Sequence, residues 1–290
     1  MTWVNDVIQG IFLGGYYALL AAGLALMFGL MRIINLAHGD IAVLGAYLIM
    51  VVLDHWNVSP FIGLLPVLPV MLILGYLLQR TVLDRSLRSG VLVPLLATFG
   101  LSIVIQNVLL KKFSPDVRSL GGQAGTIATS SWQITSQISI PWIGVAAVGT
   151  AAGILGGLQL FLSRTGSGRR MRATALDPDT AELVGIDSRN VYAWGTAIAV
   201  AIAAVAGLFL AIRSTFDPYA GPTQLIFAFE AVVIGGMGSL WGTLAGGIVL
   251  GVAQTIGAQI APQYSILAGD LVFLAVLASP RGGLIRARWA

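Results

Sequence analysis

The chain has 290 residues, of which 57% are hydrophobic and only 10% are charged, and its mean hydropathy is +0.89. In ordinary soluble domains about a quarter of the residues are charged. This composition therefore excludes an ordinary soluble domain and indicates a polytopic α-helical membrane protein. The formal net charge of +4 is modest and its basic residues fall mostly between apolar runs, so no nucleic-acid partner is expected.

Apolar runs succeed one another along the whole chain. A membrane span needs about 20 apolar residues. The sequence predicts an all-α membrane helical bundle of about 8–9 spans, from nine runs at 7–31, 41–53, 61–78, 91–110, 140–162, 191–212, 225–236, 240–260 and 264–279. No basic segment precedes the first run, so we expect it to stay as a span rather than be cleaved as a signal peptide. The runs at 225–236 and 264–279 are short, and a re-entrant segment around 225–239 is the alternative to a ninth span.

The distribution of lysine and arginine predicts the orientation in the bilayer, because short cytoplasmic loops are enriched in both. Most basic residues can lie on the cytoplasmic side of the bilayer: Arg32, Arg80, Arg85, Arg88, the arginines of 164–190, Arg281, Arg286 and Arg288. The other side then keeps only Lys111, Lys112, Arg118 and Arg213. This bias predicts an external N-terminus, a cytoplasmic C-terminus, an external loop at 112–139 and a cytoplasmic loop at 164–190.

Three polar side chains follow the first apolar run within six residues: Asn35, His38 and Asp40. Polar and ionisable residues at membrane depth usually mark a pathway or a paired site. A broken helix that lines a cavity would give this pattern, because irregular backbone in a membrane must be buried or line water. A cytoplasm-facing turn, in which Asn35 or Asp40 caps the next helix, explains it as well.

A second group of polar residues lies in the fourth apolar run, where Thr98, Ser102 and Gln106 are spaced four residues apart. That spacing places them on one helical face. The face either lines a polar cavity or forms hydrogen bonds with neighbouring helices. With Asn35, His38, Asp40 and Glu230, these residues are the candidates for a substrate path.

The external loop at 112–139 contains two short stretches, 132–135 and 137–140, that alternate polar and apolar residues as strands do. They predict a small β-hairpin. A contact with an external partner and a plain solvated loop are equally compatible with it.

The loop at 164–190 is the longest charged segment of the chain. Its first part is basic, and Gly166 and Gly168 are expected to loosen the backbone there. A short helix is then predicted, with Asp177 as N-cap, Pro178 at the first helical position and Gly185 at the C-terminal end. About two helical turns are unstable alone in water, so we expect this helix to dock onto another protein.

Glu230 is flanked on both sides by apolar residues. A carboxyl group in that position should lie inside the protein and be paired or protonated. Asp270 follows Pro262 by two turns and is interpreted as a near-terminal acid. Glycines spaced four residues apart predict close helix packing, either within the subunit or between subunits, at Gly10 and Gly14, Gly153 and Gly157, Gly238 to Gly246, and Gly247 and Gly251.

Enzymatic motifs are missing from the sequence. The absence of cysteine excludes disulfides, thiol catalysis and thiolate metal sites, and two histidines are too few for a zinc centre. Neither a hydrolase motif nor the phosphate-binding G-x-x-x-x-G-K-[ST] pattern is present. The chain is therefore not expected to be an enzyme or to bind a cofactor or metal of its own.

Four stretches carry a family resemblance: 34–40, 97–102 with Gln106 and Asn107, 175–186, and 233–239 with Gly242, Gly246 and Gly247. Together they resemble the branched-chain amino-acid permeases of ABC importers, in particular the smaller of the two membrane subunits. Residues 179–185 match the spacing of the Glu-Ala-Ala-x-x-x-Gly loop of importer permeases. The Ile and Leu-Pro that follow in the general pattern have no counterpart, since Trp194 and Gly195 stand there.

The resemblance implies one permease domain over residues 1–290 in a bacterial inner membrane. It implies a second homologous permease subunit, two ATP-binding subunits that hydrolyse ATP with Mg²⁺, and an external substrate-binding protein. The residues expected to couple the chain to the ATPases are Asp179, Ala181, Glu182, Leu183 and Gly185.

Branched-chain or hydrophobic amino acids are the substrates that the resemblance implies, with urea, short amides or small organic acids as alternatives. A proton-coupled secondary transporter that uses Glu230 with His38 or Asp40 as a relay is a further alternative. Such a transporter has no need of a docking helix.

Overall fold

A computed structural model of the protein describes residues 2–87, 90, 92–125, 128, 130–135, 138–279 and 283–284. Its helices are α1 (Thr2–Met31), α2 (His38–Trp56), α3 (Pro60–Leu78), α4 (Asp84–Leu87), α5 (Leu92–Phe113), α6 (Trp142–Arg164), α7 (Gly166–Leu176), α8 (Pro178–Leu183), α9 (Ser188–Arg213), α10 (Gly221–Gly235), α11 (Leu240–Ile260) and α12 (Tyr264–Leu277). A π-helical turn, Gln79–Leu83, joins α3 to α4. Two short strands are β1 (Ser131–Thr135) and β2 (Ile138–Pro141).

Each of the nine predicted apolar runs contains a helix, so the all-α polytopic class is confirmed. Within the described residues, seven helices are long and apolar enough to cross a membrane. The two shorter ones, α10 with 15 residues and α12 with 14, reach only about 22 Å at 1.5 Å per residue. The number of crossings therefore depends on how deeply α10 and α12 enter the bilayer, and it stays a prediction together with the orientation.

Helices α1 and α9 form the buried centre of the bundle. Glycine brings α1 close to α11: a Cβ on Gly14 would lie 2.5 Å from the Gly247 carbonyl oxygen, and one on Gly251 would lie 2.7 Å from the Gly14 Cα. The spacing of these glycines was compatible with packing within the subunit or between subunits, and the structure shows packing within the subunit. A Cβ on Gly153 would meet no atom within 4 Å among the described residues, so this position of α6 has no close helix neighbour there.

Helices α3, α5 and α6 lie at the periphery and expose many large apolar side chains. Fewer than a third of the residues in their most apolar windows are buried, against 83% in α9. Such exposure suits contact with lipid or with another membrane subunit, and it agrees with a bilayer environment.

The basic segment after α6 is more ordered than the sequence suggests. Residues Gly166–Leu176 form helix α7, and Thr165 caps it by accepting a hydrogen bond from the N–H of Gly168 at 2.9 Å. A Cβ on Gly168 would lie 2.6 Å from the Leu162 Cα, so this glycine allows α7 to pack closely on the end of α6. The prediction that Gly166 and Gly168 loosen the backbone was wrong, because both lie in this helix; only Gly168 is closely packed.

The hairpin and the charged loop stand at opposite ends of α6. Strands β1 and β2 pair in antiparallel fashion, with Trp132 opposite Ile140, which confirms the predicted hairpin; its turn at 136–137 lies outside the described residues. Helix α6 begins directly after β2 and ends before α7, and its 23 residues span about 34 Å. Arg88 and the C-terminal arginines of the orientation argument also lie outside the described residues.

Candidate functional site

The chain turns back into the protein after α1. Asn35, His38 and Asp40 are all buried, and His38 Nε2 lies 3.0 Å from the carbonyl oxygen of Leu20. Leu20 precedes the end of α1 by 11 residues, which corresponds to about 16 Å along the helix. Helix α2 therefore begins beside the middle of α1. The interpretation of 35–40 as a cytoplasm-facing turn is wrong, and the broken-helix interpretation describes the structure.

Side chains form hydrogen bonds with the irregular backbone at this break between α1 and α2. Asn35 Oδ1 accepts a hydrogen bond from the N–H of Ala37 at 3.0 Å, which is a local turn typical of asparagine. The N–H of Leu36 donates to Thr98 Oγ1 on α5 at 3.1 Å. Because an unpaired backbone group in a membrane interior is costly, these two contacts allow the helix to start inside the protein.

Asp40 is the centre of a buried hydrogen-bond network. Its Oδ2 accepts from Ser102 Oγ at 2.6 Å and its Oδ1 accepts from Gln106 Nε2 at 2.9 Å. Together with Thr98, these residues attach one face of α5 to the start of α2. Of the two predicted roles of this face, the structure shows hydrogen bonding to a neighbouring helix.

Helix α10 begins against the same carboxyl group. A Cβ on Gly221 would overlap Asp40 Oδ1 and would lie 2.7 Å from the Asp40 backbone nitrogen; one on Gly39 would lie 2.8 Å from the Leu225 nitrogen. The N-terminal ends of α2 and α10 therefore meet at Asp40. Helix N-termini carry partial positive charge, so two such ends are directed at this carboxyl group. Gly221 was not among the site residues predicted from the sequence, although its neighbour Pro222 is a signal for a helix start.

Glu230 forms a second buried acidic site. It is 4% exposed, as predicted for a residue inside the protein, and its Oε2 has no hydrogen-bond partner among the described residues. The side chain of Asp270 on α12 lies within hydrogen-bonding reach of it. The interpretation of Asp270 as a near-terminal acid was therefore wrong, because α12 folds back to place it beside α10.

The two acidic sites are separate. Among the described residues, no hydrogen bond joins Glu230 to His38 or to Asp40. His38 Nδ1 likewise has no partner there. The relay proposed from the sequence is therefore not formed by direct hydrogen bonds among the described residues.

The short helix α8 in the charged loop has the predicted caps. Asp177 Oδ1 accepts from the N–H groups of Asp179 and Thr180, both at 3.1 Å. Gly185 has a φ of 85°, and the N–H of Ile186 donates to the Ala181 carbonyl oxygen at 3.0 Å, which closes the helix with a left-handed residue. Hydrogen bonds from the Thr180 hydroxyl and from the backbone lower the pKa of Asp177 below its usual value, since they stabilise the ionised form.

The surface of α8 is apolar at one end. Leu183 and Val184 are 87% and 74% exposed, whereas Ala181 is only 3% exposed and packs against its own chain. Of the five residues expected to couple to a partner, Asp179, Glu182 and Leu183 offer side chains outward, and Ala181 and Gly185 shape the helix.

The sequence of the chain is similar to those of known membrane permeases. A sequence model of the family described as branched-chain amino acid transport system / permease component matches residues 7–278. The chain belongs to this family. The high-affinity branched-chain amino acid transport system permease protein BraD of Pseudomonas aeruginosa is 32% identical, with 98% of this chain and 96% of BraD covered.

Two proteins of Escherichia coli K12 extend the comparison. The permease protein LivH is 31% identical over 98% of this chain and 96% of its own length. The high-affinity branched-chain amino acid transport system permease protein LivM is 26% identical over 92% of this chain and 67% of its own length. The similarity to LivH and BraD spans every helix described above, so this chain is a multi-pass membrane permease.

Proposed function

We propose that this permease and a second homologous permease form the membrane pathway of an ATP-driven importer for branched-chain or hydrophobic amino acids in a bacterial inner membrane. The observation that carries the proposal is the end-to-end similarity to BraD and LivH, both named for branched-chain amino acid transport. The relationship to LivM supports a second permease as partner, since LivM is both a distant relative and part of the same kind of system.

Helix α8 is proposed to dock on the ATP-binding subunits. Its exposed Leu183 and Val184 form an apolar surface next to the acidic Asp179 and Glu182, and apolar patches rimmed by polar residues are typical of protein interfaces. ATP and Mg²⁺ would be held by those partners, because this chain has no phosphate-binding motif. Closure of the ATPases can rearrange the membrane spans only if the ATPases bind one conformation of the spans more tightly than the other.

The Asp40 network is proposed to define one of these membrane states. It joins α5, whose outer face is exposed, to the N-terminal ends of α2 and α10 in the middle of the bundle. An external binding protein would deliver substrate at the end that carries the β1–β2 hairpin. Substrate would then pass along the face shared with the second permease.

Uptake by cells tests this function and its substrate. In cells that lack their own branched-chain importers, the complete transport system is expected to support saturable uptake of labelled leucine, with competition by isoleucine and valine. Urea, acetamide and small organic acids should not compete. Uptake of urea or an organic acid without leucine uptake would contradict the proposed substrate. The double variant Leu183→Asp, Val184→Asp should reach the membrane but take up no leucine.

A further inference from the structure

A cavity of about 310 Å³ lies beside Glu230. Helix α10 contributes one wall, the segment before α2 a second and α12 a third. Six apolar side chains line it together with Glu230: Ile34, Leu36, Leu225, Ile226, Phe229 and Phe273. A single carboxyl group in a wall of branched aliphatic and aromatic side chains is the composition of a ligand site, where few polar groups orient a mostly apolar molecule.

One oxygen of the Glu230 carboxyl group has no hydrogen-bond donor among the described residues. The side chain is only 4% exposed, and its Oε2 has no hydrogen-bond partner among the described residues. Its neighbour Asp270 carries a second carboxyl group. Ionised carboxylates only accept hydrogen bonds, so two of them come together through one shared proton or through a cation between them.

The chemistry of the cavity selects among cations. Hard metal ions take about six oxygen ligands, and the other walls here are hydrocarbon. An ammonium group needs fewer acceptors, and Glu230 offers an unpartnered oxygen, Oε2, in the lining of the cavity. An anionic ligand without an ammonium group would meet a like charge, which opposes binding.

We propose that this cavity binds the ammonium group and branched side chain of an amino-acid substrate, with Glu230 as the counter-ion. The side chain of the substrate would lie among Leu225, Phe229 and Phe273. This inference rests on the proposed function and adds the site and its chemical selectivity. It also separates amino acids from urea and organic acids, since neither of those combines a cationic group with a branched hydrocarbon.

Competition on the wild-type protein tests the selectivity. The complete membrane complex, purified with its partner subunits and placed in lipid nanodiscs without binding protein, is titrated with tritiated leucine. The competitor 3-methylbutylamine keeps the ammonium group and the branched chain, and 4-methylpentanoate keeps the carboxylate and the branched chain. The amine should displace leucine, and the acid should not. Equal displacement by the acid, or no binding of leucine or amine at millimolar concentration, would overturn the site.

Variants test the residues. Glu230→Gln keeps the size of the side chain and removes its charge, so the affinity for leucine should fall about ten-fold to hundred-fold, as expected for a lost hydrogen bond to a charged group. Asp54→Asn, at an exposed carboxyl group near the end of α2, is the matched control and should bind leucine normally. Leu225→Trp leaves both acids in place, puts a larger side chain in the cavity wall and should also prevent binding.

Three results would contradict the proposal. Normal leucine binding by Glu230→Gln would show that Glu230 is not the counter-ion. Normal binding by Leu225→Trp would place leucine elsewhere. Loss of the second permease from Glu230→Gln but not from Asp54→Asn would show that the cation is a side chain of that partner. If one of these results is obtained while the wild-type transport system still supports leucine uptake, the proposed function stands and only the site is refuted. If cells that carry the wild-type system take up no leucine, the proposed function itself is refuted.

Discussion

A methyl group added at Gly221 tests whether the helix ends at Asp40 are packed as tightly as the structure shows. In Gly221→Ala the new Cβ would overlap Asp40 Oδ1 and lie 2.7 Å from the Asp40 backbone nitrogen. Asp40 has little room to move, because Ser102 and Gln106 hold both of its carboxyl oxygens. Overpacking costs about 1–3 kcal/mol. Loss of one hydrogen bond to the buried carboxylate adds about 1.5–3 kcal/mol.

The same substitution at Gly100 is the control. Gly100 lies within α5, and a Cβ there meets no atom within 4 Å among the described residues. Gly100→Ala should therefore be neutral or stabilise the helix by up to about 1 kcal/mol. The assay is the temperature at which half of the purified complex stays monodisperse, which should fall by about 5–10 °C in Gly221→Ala only. Equal thermal stability of the two variants would show that α10 does not pack on Asp40.

Three further predictions concern the ends of the bundle. Trp3→Cys should react with an impermeant thiol reagent in intact cells, and Ser167→Cys only after permeabilisation; the reverse pattern would overturn the orientation. Gly185→Val should release the ATPases, because a branched residue at a φ of 85° costs about 1 kcal/mol or more, whereas Gly185→Asn should keep them since asparagine tolerates that conformation. If both variants release them, backbone strain is not the cause. The cap of α8 should be present at neutral pH and lost as the pH falls through the lowered pKa of Asp177, so the protection factors of the Asp179 and Thr180 amides, relative to the intrinsic exchange rate at each pH, should then fall. Asp177→Asn should show no such dependence, and an identical acid response in that variant would exclude Asp177 as the titrating group.

The predictions from sequence succeeded where local chemistry decides the structure. Asp177 and Gly185 delimit α8 through contacts within ten residues of each other, and the alternating residues around Trp132 form a strand. Apolar run length also predicted the helices, because a membrane interior leaves the backbone few alternatives.

The parts that the sequence did not predict depend on contacts between distant residues. Asp270 pairs with Glu230 only because α12 folds back against α10. Gly221 meets Asp40 only because α2 starts beside the middle of α1. The polar face of α5 could serve a cavity or a helix contact, and its partner Asp40, 62 residues before Ser102, decided between them.

The most direct test of the central claim is the energy source of leucine transport. Proteoliposomes that contain the complete complex are supplied with leucine-loaded binding protein, and either ATP with Mg²⁺ or an imposed proton gradient. Leucine should be transported with ATP and Mg²⁺ alone, and the double variant Leu183→Asp, Val184→Asp should abolish both transport and its stimulation of ATP hydrolysis. Leucine transport driven by the proton gradient without ATP, and unaffected by that double variant, would contradict an ATP-driven permease coupled through α8.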